Sequence, residues 1–429
     1  MEDVLGSLDG LHRSVVVIGG GQAGLSISHQ LQERRVDHLV LERHQIGYEW
    51  RARRWDSFCL VTPNRQCELP GFPYAGSDPD GFMGRDEIVE YLQDYAQSFR
   101  PPLLEQVSVT RLRPSPDGRF VIETSRGTLT ADQVVLATGP YQLPAIPRMA
   151  ERLPNSVTQL HSSEYKNPEQ LPAGAVLVIG TGQSGCQIAE DLHLAGRQVH
   201  LATGTAPRVA RFYRGRDCMT WLDEIGHYSK GIDQFADQEA TRFKVNHYVT
   251  GRDGGRDIDL RAFARDGVRL YGRALSIDIG PGTAQLSFDD SLGSNLDGAD
   301  AISESIKDLI DQHIADQGID APAEDRYLPV WRPEDEPDAA RNRLDLAEAA
   351  VSAVIWATGY ARDYRWIDLP LFDGRGYRRT SAASPAGPDC TCWACPGSTP
   401  GDRAGSAASA PTRLPGRSDR ARVGERLSA

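Results

Sequence analysis

Two stretches of the chain share one pattern of apolar and polar positions. In each, an unbroken apolar run (Val15 to Ile18, then Val176 to Ile179) meets a glycine-rich turn, and apolar residues then recur at helical spacing. Leu25, Ile27 and Leu31 form the first stripe, and Ile188, Ala189 and Leu192 the second. A short apolar run bounded by glycine reads as a buried parallel strand, and the 3.6-residue period reads as a helix. Both turns have the spacing G-x-G-x-x-G, with Gly19, Gly21 and Gly24 in one and Gly180, Gly182 and Gly185 in the other. The first glycine permits the turn, the second lets backbone approach a pyrophosphate, and the third lets helix pack on strand, while free N–H groups at the helix start face the anion. Gln22 and Ala23, and Gln183 and Ser184, stand inside these two candidate cradles.

The remaining pattern fills in around them. His38 to Arg43 reads as a second strand ending in Glu42, about 20 residues past the first glycines, where a carboxylate accepts the ribose hydroxyls of an adenosine. Its charge repels a ribose phosphate, so the first site suits FAD or NAD, with Glu42 and Arg43 at the ribose. Ile46 to Tyr74 carries Trp50, Trp55, Phe58, Phe72 and Tyr74 among polar and proline positions, which reads as a lid over a flat ring system or as aromatic fill beneath a loop. Ile88, Leu92, Tyr95 and Phe99 predict a helix over 84–99. Two short strands, Val107 to Leu112 and Arg119 to Thr124, flank the turn signal SPDG, and Asp132 to Pro140 is a buried strand leaving through Thr138 and Gly139. Beyond the second loop a strand ends near Ala202 with no acid after it; Thr203, Thr205, Arg208 and Arg211 follow, and a guanidinium there would pair with a ribose phosphate, favouring NADPH. Ala274 to Ile279 and Ala284 to Phe288 read as a hairpin, and Ile302, Ile306, Ile310 and Ile314 mark an amphipathic helix.

Composition narrows the function. With 47 basic against 59 acidic residues the net charge is -12, which argues against nucleic acid as the main partner. No apolar run approaches the roughly 20 residues that span a bilayer, and the acidic start MEDVLGSLDG is unlike a signal peptide, so a cytoplasmic enzyme with no membrane partner is expected. Seven cysteines, an odd number without a framework spacing, predict neither a disulfide scaffold nor a metal site.

GGGQAG, the acid in VLER, WRARRWD, the first ATG, GTGQSG and VIWATGY (Val354 to Tyr360) stand in the order seen in flavin-containing monooxygenases, which the chain resembles over roughly residues 13–375. QCELP (Gln66 to Pro70) also resembles a segment of the plant enzymes that decarboxylate indole-pyruvate. The resemblance implies an α/β fold of two Rossmann-like, three-layer dinucleotide-binding domains, the second inserted in the first. The expected division is 1–145 and 336–380 for FAD, with Trp50, Thr138, Gly139, Thr358 and Gly359 near it, and 146–335 for NADPH. It implies that NADPH reduces FAD, and that reduced flavin and oxygen form a hydroperoxide that oxygenates a small nitrogen, sulfur or carbonyl substrate. Asn64 is the candidate catalytic side chain, as a hydrogen-bonding group beside the ring. Leu153 and Asn155 stand where the family's F-x-G-x-x-x-H signature has Phe and Gly, and His161 comes two residues late, which weighs against a strict N-hydroxylating activity. The rival readings are an NAD(P)H-dependent reductase without oxygenation and an inactive nucleotide-binding redox sensor.

From Ser381 to Ala429 the chain lacks Ile, Phe, Tyr, Met and Lys and cannot bury enough apolar surface to order itself. Read one nucleotide earlier after Thr391, the codons for TCWACPGSTPGDRAGSAA permit LLGLPWLHTWGSGRFCG, which resembles the closing strand and loop of these flavoproteins. A displaced reading frame is therefore expected, and the C-x-x-C of Cys392 and Cys395 is assigned no redox or metal role. Resequencing the gene across this region tests it: the displaced frame should appear, and an intact single frame would refute the reading.

Overall fold

The computed structural model describes residues 6–229, 245–280, 283–336 and 341–372, positions 231, 234, 236 and 237, and the backbone of 390–392. The chain begins with β1 (His12–Ile18), α1 (Gln22–Glu33), β2 (His38–Leu41), α2 (Tyr48–Arg53) and α3 (Arg85–Phe99). It continues through β3 (Leu103–Leu104), β4 (Val109–Pro114), β5 (Phe120–Thr124) and β6 (Gly127–Leu136). The second half has β7 (Thr158–His161), β8 (Ala175–Ile179), α4 (Gln183–Leu194), β9 (Val199–Ala202) and β10 (Arg269–Tyr271). Then come β11 (Ala274–Gly280), β12 (Thr283–Phe288), α5 (Leu292–Gln317), β13 (Arg343–Asp345), β14 (Val351–Trp356) and β15 (Cys390–Cys392).

The first sheet runs β3-β2-β1-β6-β5-β4, with β1 parallel to β2 and β6 and the β4–β5–β6 edge antiparallel. β5 covers only the first half of β6; past its end, β15 lies parallel to Val134–Leu136. The rest of the predicted tail lies outside the described residues. The second sheet, β7-β14-β8-β9-β10, is wholly parallel. Its inner strands β14, β8 and β9 are buried on both faces, which explains the apolar runs of β8 and β14. Val176 and Val178 meet Ile188, Ala189 and Leu192 of α4, while Leu177 and Ile179 meet Ile277, Leu286 and Phe288 of the β11–β12–β13 meander.

Two expectations change. The boundary placed at residue 336 moves to about Ala357, because β13 extends the meander and β14 lies between β7 and β8 inside the second sheet. Both sheets let a strand out through Ala-Thr-Gly, so that signature marks a strand end without saying which sheet owns it. β7 lies in the proline-punctuated, helix-poor crossing from Tyr141 to Gly174 that links the two halves. The amphipathic helix starts at Leu292, and its buried face runs through Leu296, Ala299, Ser303, Ile306 and Ile310; Ile302 is 42% exposed. Among the described residues no helix is long and apolar enough to cross a membrane.

A buried carboxylate ties the two halves together. Asp191 on α4 accepts from Tyr165 Oη (2.7 Å), Ser57 Oγ (2.6 Å) and Arg252 Nη1 (2.6 Å), and so joins the crossing, the aromatic loop after α2 and the basic turn around 252 to one helix. Removing one member of a buried, hydrogen-bonded pair leaves the other uncompensated. Asp191→Ala should lower stability by about 3 kcal/mol, read as a drop in melting temperature. Asp132→Ala, whose partners are exposed surface pairs, should cost about 0.5 kcal/mol or less.

Candidate functional site

Each glycine loop is built by close backbone contact. Gly19 has φ +111°, and a Cβ on Gly24 would stand 1.8 Å from Gly19 O. In the second loop Gly180 has φ +105°, and a Cβ on Gly185 would stand 1.9 Å from Gly180 O. The middle glycines differ: a Cβ on Gly21 or on Gly182 would meet nothing within 4 Å. Gly21 and Gly182 are also the N-caps of α1 and α4, and neither helix has a side-chain cap hydrogen bond. Open space beside the glycine and uncapped N–H groups at a twelve-residue helix start are what a pyrophosphate needs, so a dinucleotide fits both loops. Gln22 and Ala23 form the first turn of α1, and Gln183 and Ser184 that of α4, all half-buried. The Gln183 amide donates to Val249 O, and Gln187 Nε2 reaches the same carbonyl at 3.1 Å, so the loop after 246 is docked on α4.

Glu42 leaves β2 where expected. Its Oε2 accepts from Gly20 N at 2.8 Å and its Oε1 from His44 N at 2.7 Å, which holds the carboxylate against the first loop with lone pairs remaining for ribose hydroxyls. Arg43 is exposed, with Nε 3.1 Å from His44 Nε2. Burial, ahead of the charge of Arg43, lowers the His44 pKa. Trp50 sits on α2 beside Phe58, 5.7 Å between ring centroids, in the cluster around Leu25, Ile88 and Tyr95.

Two assignments are corrected. Arg208 and Arg211 are 3% and 0% exposed. Arg208 Nε donates to Asp300 at 2.6 Å with its guanidinium over the Tyr327 ring, and Arg211 pairs with Asp217 and donates to Val61 O at 2.7 Å. A buried guanidinium must be neutralised within the protein, so both are structural cations rather than phosphate ligands at the strand end. The end of β9 is left with Thr203, whose Oγ1 donates to Tyr271 O, and exposed Thr205, with no acid in this turn. Asn64 is 4% exposed; its Nδ2 donates to Asp78 O and its Oδ1 accepts from Met83 N, 2.9 and 2.8 Å. Both ends of that amide staple the loop to itself, which commits its oxygen and one of its two N–H groups to loop structure.

The two sheets meet where their strands leave them. Gly139 (φ +66°) and Gly359 (φ +82°) both face open space, and the segments after them pair antiparallel, Leu143 with Ala361 and Pro144 with Tyr360. Gln142, which sequence reasoning missed, donates to Thr138 Oγ1 and Gly139 O and accepts from Asp363 N. Thr358 Oγ1 donates to Ala145 O at 2.6 Å. His161 is fully buried between Ser163 Oγ and Gly359 O, each 2.9 Å from a ring nitrogen, and burial lowers its pKa. A polar residue placed just past a strand-exit glycine is the signal that finds Gln142; nothing local marks His161 as a seam residue. Cys59 and Cys67 are unbridged, and burial raises both thiols, Cys67 to about 12, so neither is poised as a redox dithiol.

Residues 16–225 match the family model described as pyridine nucleotide-disulphide oxidoreductase. A CzcO-like oxidoreductase of Geobacillus kaustophilus is 32% identical over 372 residues, 84% of this chain and 85% of the relative. The indole-3-pyruvate monooxygenase YUCCA4 of Oryza sativa subsp. japonica is 33% identical over 197 residues, spanning 41% of this chain and 44% of its own length. A flavin-containing monooxygenase from Stenotrophomonas maltophilia has the same fold, with a TM-score of 0.59 at 20% identity over 89% of this chain and 90% of its own.

The two kinds of glycine separate experimentally. Gly185→Ala forces a methyl group onto a backbone carbonyl and should cost about 3 kcal/mol or more in the protein without nucleotide, seen as a lowered melting temperature. Gly182→Ala, at φ -64° with open space, should melt within about 1 °C of wild type yet bind NADP+ at least tenfold more weakly by calorimetry, an effect of about 1.4 kcal/mol.

Proposed function

The chain belongs to the CzcO-like oxidoreductases of the flavin-containing monooxygenase family, and from that membership we propose an NADPH-dependent flavoprotein monooxygenase acting on a small nitrogen, sulfur or carbonyl substrate. The observation that carries the reading is the pair of open cradles, Gly21 over α1 and Gly182 over α4, opening toward one seam between Gly139 and Gly359. The cradle beside Glu42 would hold FAD. The cradle whose neighbouring strand ends in Thr203-Gly204-Thr205, without an acid, would hold NADPH.

FAD, when bound, supplies hydride acceptance and oxygen activation. The chain's own groups do the positioning. The N–H groups of α1 and α4 bind the two pyrophosphates, Glu42 fixes the ribose of the first, and Gln142 and His161 hold both strand exits at one spacing. Trp50, Phe58 and the aromatic loop behind them restrict water at the seam. A reductase without oxygenation would share the cradles, but a disulfide reductase has no support from Cys59 and Cys67. Such an enzyme would work in the cytoplasm, where its dinucleotide reductant is found.

The test is the stoichiometry of oxygen. NADPH should bleach the flavin of the purified protein under anaerobic conditions, and in air with an accepted amine, sulfide or ketone one oxygen should be consumed per NADPH, with oxygenated product. NADPH oxidation with no product oxygenation across such a panel would favour the reductase.

A further inference from the structure

Arg54 follows directly on α2, at the seam, and its guanidinium is ringed by three aromatic side chains. Its central carbon stands 5.3 Å from the Trp50 ring, 5.7 Å from Phe58 and 5.5 Å from Tyr141. Tyr141 lies two residues past Gly139 and is 50% exposed, and its ring is 5.0 Å from that of Tyr360, the residue after Gly359. The cage therefore joins the first domain's aromatic loop to both strand exits. Three nearby guanidinium groups face carboxylates, Arg53 with Glu49 at 3.4 Å, Arg85 with Asp56 at 2.6 Å and Arg252 with Asp191 at 2.6 Å, while Arg51 is exposed to solvent. Arg54 Nη1 donates to Arg53 O at 3.0 Å; among the described residues Arg54 forms no ion pair, and its Nε and Nη2 have no acceptor. Its backbone is fixed in place, since the half-buried Lys166 ammonium donates to Ala52 O and Arg54 O.

A half-buried guanidinium held by aromatic faces, with no carboxylate partner among the described residues, keeps a hydrogen-bonding edge for an anion. The two phosphate cradles already have their own helix starts. We propose that Arg54 is a substrate-recognition residue that binds the carboxylate of a small acid carried on a flat aromatic or conjugated frame. The free Nε and Nη2 edge of a guanidinium matches a carboxylate in two parallel hydrogen bonds. The rings of Trp50, Phe58 and Tyr141 offer flat apolar walls to the body of the same molecule. This rests on the monooxygenase reading only in placing the oxygenated substrate at the seam; the recognition itself needs no turnover.

The experiment titrates the flavin-loaded enzyme, by calorimetry, with phenylacetate and with its uncharged isostere phenylacetamide. Wild type should bind phenylacetate about 10- to 100-fold more tightly than the amide, the range for a hydrogen-bonded charge. Arg54→Met should abolish that preference, and Arg54→Lys should restore part of it. Arg51→Met, on the exposed side of the same helix, should keep it. Equal affinity of wild type for acid and amide, or a preference that survives in Arg54→Met, overturns the proposal. So does a parallel loss of flavin or of NADP+ affinity in Arg54→Met and Arg54→Lys, which would assign the guanidinium to a cofactor phosphate. If Arg54→Met does not fold, the wild-type pair of titrations and Arg54→Lys decide. Failure of NADPH-driven oxygenation would leave these titrations readable, and failure of the titrations would leave the oxygenation result standing.

Discussion

The contact on which the structure depends is a helix backbone pressed against a strand-end carbonyl, made twice. Gly24 lies over Gly19 O and Gly185 over Gly180 O at distances no side chain could share. That contact sets α1 and α4 directly above the carboxyl ends of β1 and β8. It also leaves the turn between them free of atoms at Gly21 and Gly182. Packing and binding are thus divided between glycines of one motif: the third makes the fold, and the second makes the space for a ligand.

The rest of the molecule brings the two cradles to one place. Parallel sheets carry their functional ends on one side, so two such domains can exchange electrons only if those ends face a common seam. Here that alignment depends on short polar ties: Gln142 across the two strand exits, His161 on Gly359 O, and Asp191 gathering three other segments onto α4. None of these groups need touch the reacting atoms to matter. A shift of the seam by an ångström separates cofactors that react only in contact. Arg54 stands apart from this network as a cation with unspent donors beside the seam.

What was legible in the sequence follows from the range of each signal. Strand, glycine turn and helix are local, so both loops could be read directly, as could α3 and the β11–β12 hairpin, while the inserted architecture came from the family resemblance. Glu42 was legible because its position is counted from the glycines. Ownership of a strand was not, since the apolar run before Ala357 suits either sheet, and β7 is a four-residue strand hidden among prolines. Arg208 and Arg211 misled for a different reason. A basic residue near a strand end looks the same in sequence whether it faces a ligand or a buried Asp300 or Asp217 distant in the chain. Asn64 likewise gave no hint that its amide closes its own loop.

In the proposed enzyme the loop beside Glu42 would hold FAD and the loop at Gly182 NADPH, with their reactive rings meeting at the seam. An experimental structure of the flavin-loaded protein soaked with NADP+ tests this most directly. The flavin pyrophosphate should lie on the N-terminus of α1, that of NADP+ on the N-terminus of α4, and the two rings should stack between Gly139 and Gly359. NADP+ bound at the first loop, or a second loop that stays empty at saturating NADP+, would contradict it.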